Sequence, residues 1–187
     1  MLEFFICYIN RGYYLFKDRL ETVALFGGSF DPPHFGHRAV IEEALKTLDI
    51  NKLIVVPTFL NPFKTKSNSS PTERFLLSME MFNSFENVLV NRYEIDEKKA
   101  TPTAQTVSYF KKQYDVKYII IGADNLNHID KWYNFKWLNE NVTWVVASRA
   151  GYTLDSDPLR EVIYLEVDVN ISSTEIRNKK IKQKENL

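Results

Sequence analysis

The sequence predicts an α/β fold: a Rossmann-like, doubly wound, mostly parallel sheet flanked by helices. Three observations predict it. Short runs rich in Val and Ile recur along the chain, amphipathic helical patterns fall between them, and a glycine-rich turn joins the first strand pattern to the first helix. Alternation of strand and helix calls for crossover connections, which make neighbouring strands parallel. Ligands of such sheets sit beyond the carboxyl ends of the strands, where the winding direction changes.

Taken in order, the strand patterns are Val23 to Phe26, Leu53 to Val56, Val88 to Val90, Tyr118 to Ile121, Val142 to Val146 and Val162 to Leu165. Between the first two, Val40, Ile41, Ala44, Leu45 and Leu48 share one helical face while Glu42, Glu43 and Lys46 share the other. Ser70-Pro71-Thr72-Glu73 announces a second helix, with Ser70 as cap, Pro71 in the first turn and Glu73 placed to complete a capping box; its body runs from about Thr72 to Phe82. A third begins near Thr101 to Thr103 and sets Val107, Phe110 and Tyr114 at helical spacing.

A chain of 187 residues with 44% hydrophobic and 14% aromatic content can bury the core of one domain. Lys plus Arg and Asp plus Glu balance at 24 each. No overall field then exists to hold a nucleic-acid backbone or an anionic membrane; neither is an expected partner, and any anion site must be built locally. One cysteine, Cys7, excludes an internal disulfide framework and a cysteine-based zinc site, and favours a reducing compartment. The opening Leu2 to Ile9 is apolar except for Glu3, too short for a membrane span and without a basic leader. The expected location is the cytoplasm.

Directly after the first strand comes Gly27-Gly28-Ser29-Phe30-Asp31-Pro32-Pro33-His34-Phe35-Gly36-His37, which leads into the amphipathic helix. Paired glycines let backbone approach a phosphate, and the helix start offers N–H groups and a positive dipole end. His34 and His37 can aim imidazole donors at one phosphate, stabilising the charge that builds during displacement. Three of six glycines and two of three histidines fall in this turn, which favours a phosphate site over an ordinary Gly-Pro turn. Two histidines without a third ligand nearby make a weak metal site. Asp31 reads as a turn former. Near the other end, Ile171-Ser172-Ser173-Thr174-Glu175-Ile176-Arg177 reads either as a capped helix, since Ser172 and Glu175 have capping-box spacing, or as a clamp for the β- and γ-phosphates of a nucleoside triphosphate.

On His34-Phe35-Gly36-His37, on Ile171 to Arg177 and on the double proline of Asp31-Pro32-Pro33-His34, the chain resembles the bacterial nicotinate-nucleotide adenylyltransferases, within the nucleotidyltransferase superfamily marked by His-x-Gly-His. The likeness runs from about Val23 to Arg177. It implies a nucleotidyltransferase domain over residues 22–187 behind an N-terminal extension at 1–21. It implies ATP and nicotinate mononucleotide as partners, with Mg²⁺ arriving on ATP and taking no protein ligand. The mononucleotide phosphate would attack the α-phosphate directly, without a covalent enzyme intermediate.

By the same resemblance His34, His37 and Arg177 carry the chemistry. ATP contacts fall to the turn residues Gly27, Gly28, Ser29, Phe30 and Gly36 with the two histidines, to Gly122 and Asp124, and to Ile171, Ser172, Ser173, Thr174 and Arg177. The mononucleotide falls to Ser29, Phe30, Lys64, Thr103, Trp132, Tyr133 and Arg149, with the Trp132-Tyr133 pair stacking on the nicotinate ring. Each has a plainer alternative. Asp124 suits an N-cap, Thr103 a helix start, Lys64 and Arg149 a solvated surface, and Trp132 shares a helical face with Phe135 and Leu138.

The chain departs from the family pattern at three places: Phe63 stands where a histidine is common, Gln105 replaces an aspartate and Ala150 replaces a proline. Pantetheine-phosphate adenylyltransferases, the nearest rival, usually carry threonine at the position of His34. Cytidylyltransferases typically carry an Arg-Thr-x-Gly-Ile-Ser-type segment in place of Ile171 to Arg177. A catalytically silent nucleotide-binding module is the rival from another class.

Overall fold

Val23 and Leu25 are buried on one side of their strand and Ala24 and Phe26 on the other, so this strand must be covered on both faces. That is the environment of a parallel sheet. A computed structural model describes residues 20–148 and 157–167, the strand residues 6–8 and 13–15, and the single positions 173, 176 and 178. Strands β1 (Ile6–Tyr8) and β2 (Tyr13–Leu15) form an antiparallel pair of their own. The remaining elements follow as β3 (Thr22–Gly28), α1 (Phe35–Thr47), β4 (Lys52–Pro57), α2 (Pro71–Phe82), β5 (Val88–Val90), α3 (Tyr93–Asp96) and α4 (Thr103–Phe110). After them come β6 (Asp115–Gly122), a 3-10 helix (Ala123–Lys131), α5 (Phe135–Asn141), β7 (Thr143–Ser148) and β8 (Val162–Glu166).

Six strands pair in parallel throughout, in the order β5-β4-β3-β6-β7-β8. The chain winds outward from β3 through β4 to β5, returns to pair β6 with β3, and winds the other way. The switch point therefore lies between β3 and β6, where open sheets of this order bind ligands. Val40, Ile41 and Ala44 of α1 and Phe82 of α2 cover one face together with Ala24, Phe26, Leu53 and Val55. On the other face, Ala104, Val107 and Phe110 of α4 and Leu138 of α5 pack against Val23, Leu25, Ile54 and Val56. A bulge on β6 keeps both faces in phase: Val23 pairs Val116 and Ala24 pairs Tyr118, which passes over Lys117.

All six predicted strands form, with Val142 shifted out of β7 to end α5. In α2, Ser70 accepts from the Glu73 N–H at 3.2 Å, which forms the serine half of the expected capping box, and Pro71 opens the helix. Tyr114 falls past the end of α4, although its N–H still reaches the Phe110 carbonyl at 2.9 Å. Trp132 ends the 3-10 helix and does not share a helix with Phe135 and Leu138, because Asn134 adopts a left-handed conformation (φ 55°) that separates the two.

Candidate active site

At the carboxyl end of β3 the chain must turn sharply to enter α1, and the turn is built from inside. Phe30 takes a positive φ of 46°, a conformation that costs a non-glycine residue roughly 1 kcal/mol. Burial offsets that cost: Phe30 is 1% exposed, with ring contacts to Phe26 at 5.4 Å, His37 at 4.9 Å and Phe82 at 6.1 Å. Asp31 and Pro32 are joined by a cis peptide bond. At Gly27 an added Cβ would meet nothing within 4 Å, so this stretch of backbone is open to a ligand.

His34 and His37 cap α1 reciprocally. His34 Nδ1 accepts from the Gly36 N–H at 3.1 Å, and His37 Nδ1 accepts from the His34 N–H at 3.2 Å. Accepting at Nδ1 places the proton of each neutral ring on Nε2. The rings lie 3.8 Å apart, centroid to centroid. Burial, reinforced by the neighbouring His34, pushes the His37 pKa down to about 3. The imidazole is thus a neutral donor across the physiological range, beside N–H groups at a helix start.

Two buried charges hold the turn to the loop after β4. Arg74, fully buried on α2, donates to the Ser29 carbonyl at 2.6 Å, the Phe59 carbonyl at 2.7 Å and the Ser69 carbonyl at 3.4 Å. Burial lowers its pKa, and Asp31 opposes that shift. Asp31 accepts from the Asn68 N–H at 2.7 Å, the Asn68 amide at 3.2 Å and the Ser69 N–H at 3.1 Å. Burial alone would raise the Asp31 carboxyl; these hydrogen bonds outweigh it and hold it below the usual carboxylate range. Asp31 does more than form its own turn, since it ties that turn to residues 37 and 38 positions further on.

One cleft of about 1140 Å³ opens over the switch point. Gly27, Gly28, Ser29, Phe30, His34, Gly36 and His37 line its floor. Lys64 extends from the loop after β4 until its Nζ lies 3.5 Å from Ser29 Oγ, whereas Lys66 does not reach the cleft. Gly122 and Asp124 line the side formed by β6 and the 3-10 helix. Gly122, not Asp124, occupies the cap position of that helix, which removes the capping alternative for Asp124. An added Cβ at Gly122 would stand 2.6 Å from Asp124 Oδ1, so glycine is what allows the carboxylate its place. Trp132 packs edge-on against Trp144 at 5.9 Å and also lines the cleft. Tyr133, 64% exposed, stands at the mouth. Thr103 lines the cleft at the start of α4.

From the second signature, Ser173 reaches the first: its hydroxyl donates to the Pro32 carbonyl at 2.9 Å, across 141 positions of sequence. Ile171, Ser172, Thr174, Arg177 and Arg149 lie outside the described residues. Among the described residues no cluster of three or more His, Cys, Asp or Glu could hold a metal ion, and no helix is long and apolar enough to cross a membrane. The cleft also contains residues that sequence reasoning missed. Thr58, Glu94, Thr101 and Thr106 all line it, and all four are buried. Glu94 sits in a charged run, Glu94 to Lys99, that reads as a solvated surface; nothing local in the sequence marks it as buried.

The sheet order and a phosphate-suited turn at the switch point define a Rossmann-type nucleotide-binding protein. The model of the cytidylyltransferase-like family matches residues 25–179. A protein of Sulfurovum sp. (strain NBC37-1) named "Probable nicotinate-nucleotide adenylyltransferase" is 48% identical over 84% of each chain. One of the same name from Campylobacter fetus is 43% identical over 84% of this chain and 86% of its own. The chain belongs to the nicotinate-nucleotide adenylyltransferase family, within the cytidylyltransferase-like group. The fold agrees with that of the Plasmodium falciparum nicotinic acid mononucleotide adenylyltransferase solved in complex with NaAD, at a TM-score of 0.66 and 18% identity over 84% of this chain and 83% of that one.

Proposed function

We propose that the protein transfers the adenylyl group of ATP to nicotinate mononucleotide, forming nicotinate adenine dinucleotide and pyrophosphate on the way to NAD. The observation that carries this reading is the pair of closely apposed, reciprocally capping histidines beside the open backbone of Gly27. Membership of the family supplies the substrate class. In the reaction an oxygen of the mononucleotide phosphate attacks the α-phosphorus of ATP in line. The bond to the bridging α–β oxygen breaks, and pyrophosphate leaves with that electron pair. The protein supplies no nucleophile; it orients the two phosphates and neutralises charge.

In this reading the Nε2–H groups of His34 and His37 donate to oxygens of the α-phosphate, where charge grows in the transition state. Arg177 and the hydroxyls of Ser172, Ser173 and Thr174 take the departing pyrophosphate, with Asp124 and Gly122 beside the nucleotide. Lys64 and Arg149 neutralise the mononucleotide phosphate, while Trp132 and Tyr133 offer aromatic faces to its ring and Thr103 lines the ring pocket. Mg²⁺ enters as part of the substrate, ATP, keeping several of its waters. Charged, phosphorylated substrates and the lone Cys7 support a cytoplasmic location for the reaction. The test is pyrophosphate release from ATP with nicotinate mononucleotide, nicotinamide mononucleotide and phosphopantetheine in parallel. Turnover with nicotinate mononucleotide is expected; preference for phosphopantetheine rejects the reading, and ATP binding without turnover with any acceptor makes the protein a silent module.

A further inference from the structure

Among the described residues, two buried side-chain atoms able to hydrogen-bond have no partner, Thr58 Oγ1 and Glu94 Oε2, and both residues line the cleft. Thr58 directly follows β4, and its N–H binds the Gly28 carbonyl at 2.9 Å, which sets it beside the phosphate turn. Glu94 is further along the same wall, on α3, and is only 4% exposed. Its Oε1 accepts the Thr106 hydroxyl at 2.6 Å from α4. Thr106 lies one helical turn from Thr103, so the carboxyl belongs to the end of the cleft that takes the acceptor ring in the proposed function, on which this inference rests.

A buried carboxyl with no cationic partner is costly to ionise. Burial pushes the Glu94 pKa up to about 7, and the Thr106 hydrogen bond opposes but does not cancel the shift. With Oε1 occupied as an acceptor, the acid proton belongs on Oε2, which becomes a buried donor without an acceptor on a residue that lines the cleft. The complementary ligand group is rich in acceptors and has no proton of its own to offer. We propose that Glu94 is a specificity-determining residue that reads the acceptor ring, donating its carboxyl proton as a hydrogen bond to the carboxylate substituent of nicotinate. The amide of nicotinamide mononucleotide carries no charge and brings N–H donors of its own, so it gains less from such a donor. The proton is shared and not transferred, so the adenylyl step keeps its own balance.

The test compares Michaelis constants for nicotinate and nicotinamide mononucleotides in the wild type and in Glu94→Ala, Glu94→Gln and Thr106→Val, with melting curves for all four. Glu94→Ala is expected to raise the constant for nicotinate mononucleotide about tenfold or more, with that for nicotinamide mononucleotide within about twofold. Glu94→Gln, which keeps shape and a donor, should recover most of the loss. Thr106→Val should reproduce the selective loss in part, because Oε1 no longer has the partner that directs the proton to Oε2. Equal impairment toward both acceptors, or a glutamine variant as poor as alanine, overturns the inference while the adenylyltransferase reading stands. A wild type inactive with nicotinate mononucleotide overturns both. If the alanine protein does not fold, the near-isosteric glutamine and valine variants still decide: an unselective Thr106→Val, or a glutamine variant impaired equally toward both acceptors, sinks the inference.

Discussion

The same two imidazoles hold the first turn of α1 and face the phosphate site, so their structural and chemical roles can be separated by substitution. His37→Ala removes a cap and should cost about 1 kcal/mol of stability. Its turnover should fall about a hundredfold or more, since a donor to developing charge is lost. His37→Asn restores an acceptor for the His34 N–H without placing a donor where Nε2–H stood. Recovered stability with turnover still low is the expected outcome, read from urea unfolding and single-turnover rates; recovered turnover would show that His37 acts only as a cap. Gly27→Ala tests the open backbone. Its methyl meets no protein atom within 4 Å, so stability should hold within about 0.5 kcal/mol. A ligand lying against that backbone would be displaced, and the Michaelis constant for ATP should rise about tenfold. These residues were legible because chemistry compresses them into one short turn. Glu94 and Thr106 were not, because burial 12 positions apart on different helices has no local signature.

Among the elements, α2 shows why hydropathy alone misleads. Its buried positions are Arg74, Ser78 and Phe82, while Leu76 is 57% and Met79 45% exposed. Apolar content located the helix and the Ser-Pro cap fixed its start, but neither could say which face turns inward. That is decided by the Ser29 and Phe59 carbonyls, which need donors and obtain them from the Arg74 guanidinium. The strands were easier to read, since branched residues buried on both faces make continuous apolar runs. Arg74→Leu should therefore destabilise by about 3 kcal/mol or more, although leucine is apolar and the site is buried, because carbonyls are orphaned and Asp31 loses a neighbouring positive charge. Urea unfolding checks the magnitude. A neutral or stabilising result would mean that packing, and not the guanidinium fork, holds the two loops together.

For the molecule as a whole, the two displaced titrations act in opposite directions. His37 moves from an ordinary value of 6.5 down to about 3, so the unfolded chain binds the extra proton between those values and stability drops as pH falls through that window. Glu94 moves from 4.5 up to about 7, so its contribution is full below 4.5 and is lost as pH rises through about 7. Between pH 4.5 and 6.5 the slopes oppose each other, at roughly 1 kcal/mol per pH unit apiece. Relative to wild type, His37→Asn should show stability falling from pH 4.5 to 7, and Glu94→Gln should show it falling as pH drops below 6.5. Denaturant midpoints across pH 4 to 8 for the three proteins test this; identical profiles would show that neither group is displaced by folding.

The sheet order has a further consequence. β3 lies at the middle, with the phosphate turn at its end, and the two halves of the sheet diverge from it to form separate walls. One wall carries Thr58 and Glu94, the other Asp124 and Trp132. Inheritance can therefore act on them separately. A lineage that alters the loops of one half changes which small molecule is accepted while its reaction chemistry passes on unchanged, so new substrate preferences can arise by drift in a single wall.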